Sequence, residues 1–146
     1  MQVTADHDLA LVLERMVRLV RQLATAGDLG SSAAAVLSRL AREGPQRLTD
    51  LAAVEGLSQP GMTQLVSRLE RDGLVRRTPS PADGRVVLVE VTGDGEDLVA
   101  RRRGERAEAL TALLARLDPA DRDAVRRALP ALGRLTELAF TPGGTA

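Results

Sequence analysis

The sequence is poor in several residue types on which binding and redox chemistry often depend. Its 146 residues include no cysteine, tryptophan, tyrosine or lysine, and only one phenylalanine. Without cysteine, the chain can form no disulfide, no thiolate metal site and no thiol-based redox sensor. The near absence of aromatic rings also disfavours a ligand pocket built on stacking.

Groups suited to catalysis are equally scarce. The chain has one histidine, and it contains no HExxH, no GxxxxGK and no nucleophile with a nearby base. The histidine lies in Asp6-His7-Asp8, which we expect at a helix start, where acids complement the helix dipole rather than bind a metal. We therefore expect no enzyme, no catalytic residue, no cofactor and no metal.

Composition and charge are compatible with one globular domain. The chain is 44% hydrophobic, which supplies a core, yet no apolar run approaches the roughly 20 residues of a membrane span. Its first residues, MQVTADHD, do not form the basic start of a signal peptide, so we expect a cytoplasmic protein without a membrane partner. All twenty basic residues are arginine and are balanced by twenty acids, so only the distribution of charge can indicate a partner.

Apolar residues recur at helical spacing near both ends of the chain. One segment runs from about Leu9 to Ala24, and another spans residues 95–117. Asp118-Pro119-Ala120-Asp121 is typical of a helix start and precedes a last apolar stripe. Pro130 lies inside that last helix and is expected to kink it or to remove one backbone hydrogen bond.

The sequence pattern of residues 31–73 predicts three short helices in succession. Ser31 or Ser32 can cap the first, which Gly44-Pro45 ends. Thr49 can cap the second, and Gly56 closes it.

The third of these helices, over residues 58–73, has the clearest boundaries. Ser58 is its expected N-cap, and Pro60 lies in the first turn, where its missing N–H costs nothing. The expected buried stripe comprises Met62, Leu65, Val66 and Leu69. Together with the preceding helix and its glycine turn, this helix matches a helix-turn-helix, although an ordinary pair of packed helices gives a similar pattern.

A β-hairpin is predicted directly after this pair of helices. Residues 74–78 and 86–92 read as two strands, and the loop between them, PSPADGR, forms the tip. A helix-turn-helix followed by a hairpin with a charged tip is the order of a winged helix. The predicted fold class is therefore mainly α (α+β): a winged helix-turn-helix with a two-stranded wing, flanked by helices at both ends.

The same residues resemble a known family. The run LSQPGMTQLVSRLERDGLVRR at residues 57–77, the wing sequence Asp83-Gly84-Arg85 and the segment Val91-Thr92-Gly93-Asp94-Gly95 are similar to those of MarR-family transcription regulators. The resemblance covers nearly the whole chain. It implies a triangular homodimer in which the terminal helices dimerise and two winged helices read a palindromic operator. The expected role is that of a repressor that a small-molecule ligand releases.

The exposed face of the helix at residues 58–73 is the expected DNA reader. Between Ser58 and Val86 there are five arginines and three acids, a modest positive excess. Gln64 and Arg68 rank highest for sequence choice, because Gln can bond bidentately to adenine and Arg to guanine. A merely solvated polar face is the alternative interpretation. The predicted DNA-binding residues are Ser58, Gln59, Pro60, Gly61, Thr63, Gln64, Ser67, Arg68, Arg71, Asp83 and Arg85.

The wing tip places one arginine where it can enter the minor groove. Arg85 is the candidate, because A·T-rich minor grooves are narrow and strongly negative. Asp83 can bond the guanidinium and aim it before DNA arrives. The resemblance assigns both residues to DNA binding, whereas the alternative is a surface ion pair that contributes at most about 1 kcal/mol.

Four regions follow from these patterns. They are an N-terminal dimerisation helix at residues 1–30, a winged helix-turn-helix at 31–95, C-terminal dimerisation helices at 96–140 and a disordered tail at 141–146. The helices at the ends carry more apolar surface than a small winged helix can cover, which predicts a homodimer. Any effector is expected to be small and apolar or anionic. The alternatives are a winged helix used for protein assembly without specific DNA binding, or a DNA-binding dimer without a ligand.

Overall fold

The computed structural model describes residues 2–23 and 29–140, without the side chains of residues 2–6 and 139–140. The predicted disordered tail lies outside the described residues. The elements are α1 (Gln2–Gln22), α2 (Ser31–Glu43), β1 (Gln46–Arg47), α3 (Leu48–Glu55), α4 (Gln59–Arg71), β2 (Val75–Pro79), β3 (Val87–Val91), α5 (Gly93–Leu114) and α6 (Pro119–Phe140).

The predicted winged helix-turn-helix is confirmed. Helices α2, α3 and α4 are followed by the β2–β3 hairpin, which forms the wing. The described strands form one antiparallel sheet with the order β1-β3-β2. The chain divides into two compact units, residues 1–106 and 107–146, and the boundary falls inside α5.

The core lies in the first of these units and is almost entirely aliphatic. Nine large side chains are less than 2% exposed and come from α2, α3, α4 and the sheet. They are Leu37, Leu40, Leu51, Met62, Leu69, Val36, Val66, Val75 and Val89. Because interiors pack at crystal-like density, this cluster holds α4 and the wing as one unit.

Strand β1 was not predicted. It pairs Gln46 with Val89 and Arg47 with Leu88, and so makes the sheet three-stranded rather than two-stranded. The side chain of Gln46 accepts from Arg39 Nε and donates to Glu43 Oε2, both at 2.9 Å, which ties β1 to the end of α2. The hydrogen bond from Arg42 to Glu43 is the main reason that the pKa of the Glu43 carboxyl lies below its ordinary value.

Several helix starts differ from the prediction. Helix α3 begins at Leu48 with Arg47 as its N-cap, so Thr49 lies inside the helix, because β1 pairing leaves Arg47 extended just before it. Helix α2 follows Gly30 without a side-chain cap from Ser31 or Ser32. Helix α1 begins at Gln2, so Asp6-His7-Asp8 lies within the helix rather than at its start. Residues 2–8 are mostly polar, so no apolar period indicated that α1 extends to Gln2.

The junction between the wing and α5 is unusually tight. Thr92 Oγ1 donates to Gly73 O at 2.6 Å and accepts from Gly95 N at 3.2 Å, while Thr92 N donates to Leu74 O at 3.0 Å. A Cβ on Gly95 would lie 2.2 Å from Leu74 O and 2.6 Å from Val91 Cγ2. Because this junction supplies the first turn, α5 begins at Gly93, two residues before the predicted start.

The second unit contains the end of α5 and α6. The predicted start at Asp118 is present: its Oδ1 accepts from Asp121 N at 2.8 Å. Arg122 donates to the carbonyl oxygen of Leu114, the last residue of α5, and to those of Ala115 and Leu117 just after it, at 3.0–3.3 Å. The last carbonyls of a helix have no partner in the next turn, so Arg122 adds hydrogen bonds where the C-terminus of α5 needs them. Helix α6 continues through Pro130 to Phe140.

Among the described residues, no helix has both the length and the apolarity that crossing a bilayer requires.

Candidate nucleic-acid interface

The turn between α3 and α4 sets the angle at which α4 is presented. Gly56 adopts the left-handed conformation, with φ 63° and ψ 28°, which a residue with a Cβ rarely adopts. Leu57 N donates to Ala52 O at 3.0 Å and closes the turn. Ala52 is buried, as expected for the closest point between the two helices. The turn therefore has the form of a helix-turn-helix.

Helix α4 is anchored on one side and open on the other. Its buried residues are the four that the sequence predicted, Met62, Leu65, Val66 and Leu69. Ser58 is the N-cap, as predicted, and its Oγ accepts from Gly61 N at 3.2 Å. The opposite face is polar and largely exposed, which is the arrangement that groove readout needs.

The predicted site residues on α4 differ in whether their side chains already make hydrogen bonds within the protein. Thr63 Oγ1 already donates to Gln59 O at 2.9 Å, and Ser67 Oγ accepts from Arg77 Nη2 at 3.1 Å. Gln64 and Arg68 are exposed and make no side-chain hydrogen bond within the part of the chain that the structure describes. The two residues ranked highest for sequence choice are therefore available to an external partner.

The start of α2 lies beside this face. Ser32 and Leu57 join four residues of α4 in lining a shallow groove, and those four are Gly61, Gln64, Leu65 and Arg68. Ser32 was not among the predicted site residues, because nothing in its local sequence indicates that α2 approaches α4.

The wing tip is a compact hydrogen-bonded loop. Ser80 N donates to Val86 O at 2.7 Å, and Val86 N donates to Asp83 O at 2.9 Å. The Asp83 carboxylate accepts from the backbone N of Arg85 at 3.0 Å. Within the described residues no ion pair joins Asp83 to the Arg85 guanidinium. The expected contact between the carboxylate and the guanidinium is therefore wrong, because the carboxylate bonds the backbone of Arg85 instead. Asp83 fixes the backbone beneath Arg85, as aspartate side chains do in turns.

Two ion pairs at the base of the wing were not predicted. Arg77 pairs with Glu70 of α4, and Arg76 pairs with Glu90, its cross-strand partner on β3. The two neighbouring arginines therefore contact different elements, as the alternation of side chains along a strand requires.

A cleft lined by arginines lies within residues 1–106, apart from the polar face of α4. It has a volume of about 220 Å³ and adjoins a more open cavity of about 450 Å³. The Nε of Arg106 is buried there without a hydrogen-bond partner in the described chain. The residues that line both cavities are Leu29, Ala34, Ser38, Arg102 and Arg106. The lining is aliphatic and cationic, without aromatic rings.

Comparison with known proteins identifies the family. The model of the MarR family matches residues 29–87. An HTH-type transcriptional regulator of Mycobacterium tuberculosis is 37% identical over 121 residues, which cover 83% of this chain and 85% of the relative. The transcriptional regulator Tm0710 of Thermotoga maritima shares the fold with a TM-score of 0.76 and 24% identity, over 92% of this chain and 98% of that one.

A further solved structure concerns ligand control. The Bordetella bronchiseptica protein BpsR, whose DNA binding is regulated by 6-hydroxynicotinic acid, is 26% identical with a TM-score of 0.57. The match covers 88% of this chain and 91% of BpsR. From the helix-turn-helix geometry, the family match and the 37% identical relative, this chain belongs to the MarR family of DNA-binding transcriptional regulators and is not an enzyme.

Proposed function

We propose that this regulator binds a palindromic operator as a homodimer, with α4 in the major groove and the wing in the minor groove. Bound there, it acts as a repressor, because two winged helices on the duplex exclude other proteins from the same grooves. The observation that carries this proposal is the polar face of α4, on which Gln64 and Arg68 stay exposed while four apolar residues anchor the helix.

The side chains of Gln64 and Arg68 contact bases, and the other predicted residues of α4 position the helix on the DNA. Gln64 suits the N6 and N7 edge of adenine, and Arg68 suits the O6 and N7 edge of guanine. The other predicted residues of the helix lie near its N-terminus or along its rim, where contacts to phosphate fix register. They are Ser58, Gln59, Pro60, Gly61, Thr63, Ser67 and Arg71.

The wing adds a second contact outside the major groove. Arg85 is exposed at the tip of the hairpin, and the Asp83 carboxylate holds the backbone N–H of Arg85. A preorganised loop loses less entropy when its side chain becomes ordered on DNA. We infer that Arg85 enters the minor groove beside each half-site and favours A·T-rich sequence there.

Selection of bound duplexes from a random pool, read by sequencing at two salt concentrations, tests this function. We expect an inverted repeat with half-sites about 10 bp apart, or a multiple of that spacing. A·T enrichment should flank the half-sites in the wild type and disappear with Arg85→Ala, because the minor-groove contact is lost. Weak binding without enrichment, abolished at physiological salt, would instead favour a protein-assembly role for the winged helix.

Dimerisation is supported by the terminal helices, each taken by itself. Among the described side chains, α1 exposes seven large apolar ones, and α6 exposes five. Apolar stripes of this length on the surface of a monomer mark interaction sites. Because homo-oligomers usually have closed symmetry, a twofold pairing of chains that covers these stripes also accounts for a palindromic operator.

Ligand release is supported by the arginine-lined cleft. The Nε of Arg106, which has no hydrogen-bond partner among the described residues, is a strong donor in a buried place beside Arg102, and aliphatic side chains line the cleft between its arginines. Such a site suits a small organic anion with an aliphatic body. We infer that binding there lowers operator affinity. The regulator BpsR also responds to a small carboxylic acid, 6-hydroxynicotinic acid, whose body is an aromatic ring rather than an aliphatic chain.

A series of linear carboxylates from acetate to decanoate, with succinate and sebacate, tests the ligand. At least one should raise the melting temperature of the wild type and lower operator affinity by about fivefold or more, the usual scale of coupling between sites. Arg106→Met should remove both effects, while Arg101→Met, which removes an exposed arginine on the same helix, should keep them. If no carboxylate changes either quantity, the regulator is constitutive towards this class.

A further inference from the structure

Arg77 connects the wing to α4, the recognition helix of the proposed function. It lies on β2, and its guanidinium reaches two acceptors on α4: the Glu70 carboxylate through Nη1 and the Ser67 hydroxyl through Nη2, the latter at 3.1 Å. The Arg77 and Glu70 side chains are only 32% and 38% exposed. A guanidinium that donates to two side chains one turn of helix apart fixes both of them relative to the wing.

Glu70 is poorly placed for a helix that binds DNA. It sits on α4 between Arg68 and Arg71, two of the predicted DNA-binding residues. An unpaired carboxylate there would repel the phosphates that flank the major groove. Its ion pair with Arg77 neutralises that charge without using either of the helix arginines.

The same guanidinium determines what Ser67 can do. A hydroxyl has one hydrogen to donate and two lone pairs that accept, whereas a phosphate oxygen can only accept. Because Arg77 occupies a lone pair of Ser67 Oγ, the hydroxyl hydrogen stays free to point outwards. Ser67 is thereby set up as a donor towards phosphate.

We propose that Arg77 is a positioning residue for DNA binding, which masks the Glu70 carboxylate on the recognition helix and holds the Ser67 hydroxyl as a donor to a backbone phosphate. This inference rests on the proposed function. Arg76, the neighbour of Arg77, provides a matched control. It carries the same charge on the same strand but pairs with Glu90 on β3, away from α4.

Operator affinity of single and double variants tests this role. With the duplex recovered by selection, Arg77→Ala should weaken binding by about tenfold or more, and Arg76→Ala by no more than about threefold. Adding Glu70→Gln to Arg77→Ala should restore most of the loss, because the repelling charge is gone. Arg77→Lys should fall between the wild type and Arg77→Ala, since it keeps the charge but cannot bond both acceptors with a planar fork.

The dependence of affinity on salt separates this role from two others. The Arg77→Ala/Glu70→Gln variant should keep the wild-type slope, because neither residue contacts a phosphate. A shallower slope with no rescue would mean that Arg77 itself contacts DNA, and equal losses for Arg76→Ala and Arg77→Ala would mean that only net charge matters. Either result overturns the inference while leaving operator binding by the wild type intact. Failure of the wild type to bind any operator would overturn the proposed function and this inference together.

Discussion

Replacing Gly95 with alanine is expected to lower the free energy of unfolding by about 3 kcal/mol, the upper part of the range for overpacking a tight site. The added Cβ would lie 2.2 Å from Leu74 O and 2.6 Å from Val91 Cγ2, and the first of these atoms belongs to the backbone. Relief would require the start of α5 to move away from the wing, which breaks the hydrogen bond from Gly95 N to Thr92 Oγ1.

Urea denaturation followed by circular dichroism measures this effect. Gly93→Ala is the matched control, because it lies two residues earlier in the same helix and a Cβ there meets nothing within 4 Å. The control should stay within about 0.5 kcal/mol of the wild type, as most surface substitutions do. Equal stability of Gly95→Ala and Gly93→Ala would show that the junction is looser than its geometry implies.

The substitution Leu129→Glu is expected to dissociate the proposed homodimer and to weaken operator binding by about 100-fold or more, the scale of avidity lost when two linked sites become one. Leu129 is 58% exposed in the single chain and lies on the apolar stripe of α6 with Leu132. A carboxylate buried in an interface without a partner costs far more than the leucine contact that it replaces.

Sedimentation equilibrium measures the loss of the dimer directly. Arg127→Glu is the control, because it introduces the same acid on α6 at an exposed position outside the stripe. The control should remain dimeric. A dimeric Leu129→Glu variant with wild-type operator affinity would show that α6 does not form the interface, and Val12→Glu on α1, 53% exposed, would then test the other stripe.

The sequence predicted helix α4 well because two independent signals agree there. The period of Met62, Leu65, Val66 and Leu69 identified the buried face, and Ser58 marked the start. The two wing strands were predicted to within one residue at each end, since alternating apolar residues and a Gly-Pro-Asp loop bound them. The sequence is sufficient to predict an element whose own residues determine its conformation.

Features that depend on distant residues were missed or misjudged. Strand β1 has two residues and therefore no period, and only pairing with β3 defines it. That pairing also moved the start of α3. Asp83 was expected to hold the Arg85 guanidinium, yet the backbone N–H two residues on is closer and needs no long side chain to be ordered. The contacts of Arg77 join positions seven and ten residues apart that have no shared pattern.

Titration of the purified protein against its selected operator, and against the same duplex with both half-sites scrambled, tests most directly whether α4 reads sequence. At physiological salt we expect at least about 10³-fold tighter binding to the operator, the lower bound typical of specific regulators. Gln64→Ala combined with Arg68→Ala should reduce that ratio sharply while leaving salt-dependent binding to the scrambled duplex. Equal affinity of the wild type for both duplexes would contradict sequence-specific regulation by this protein.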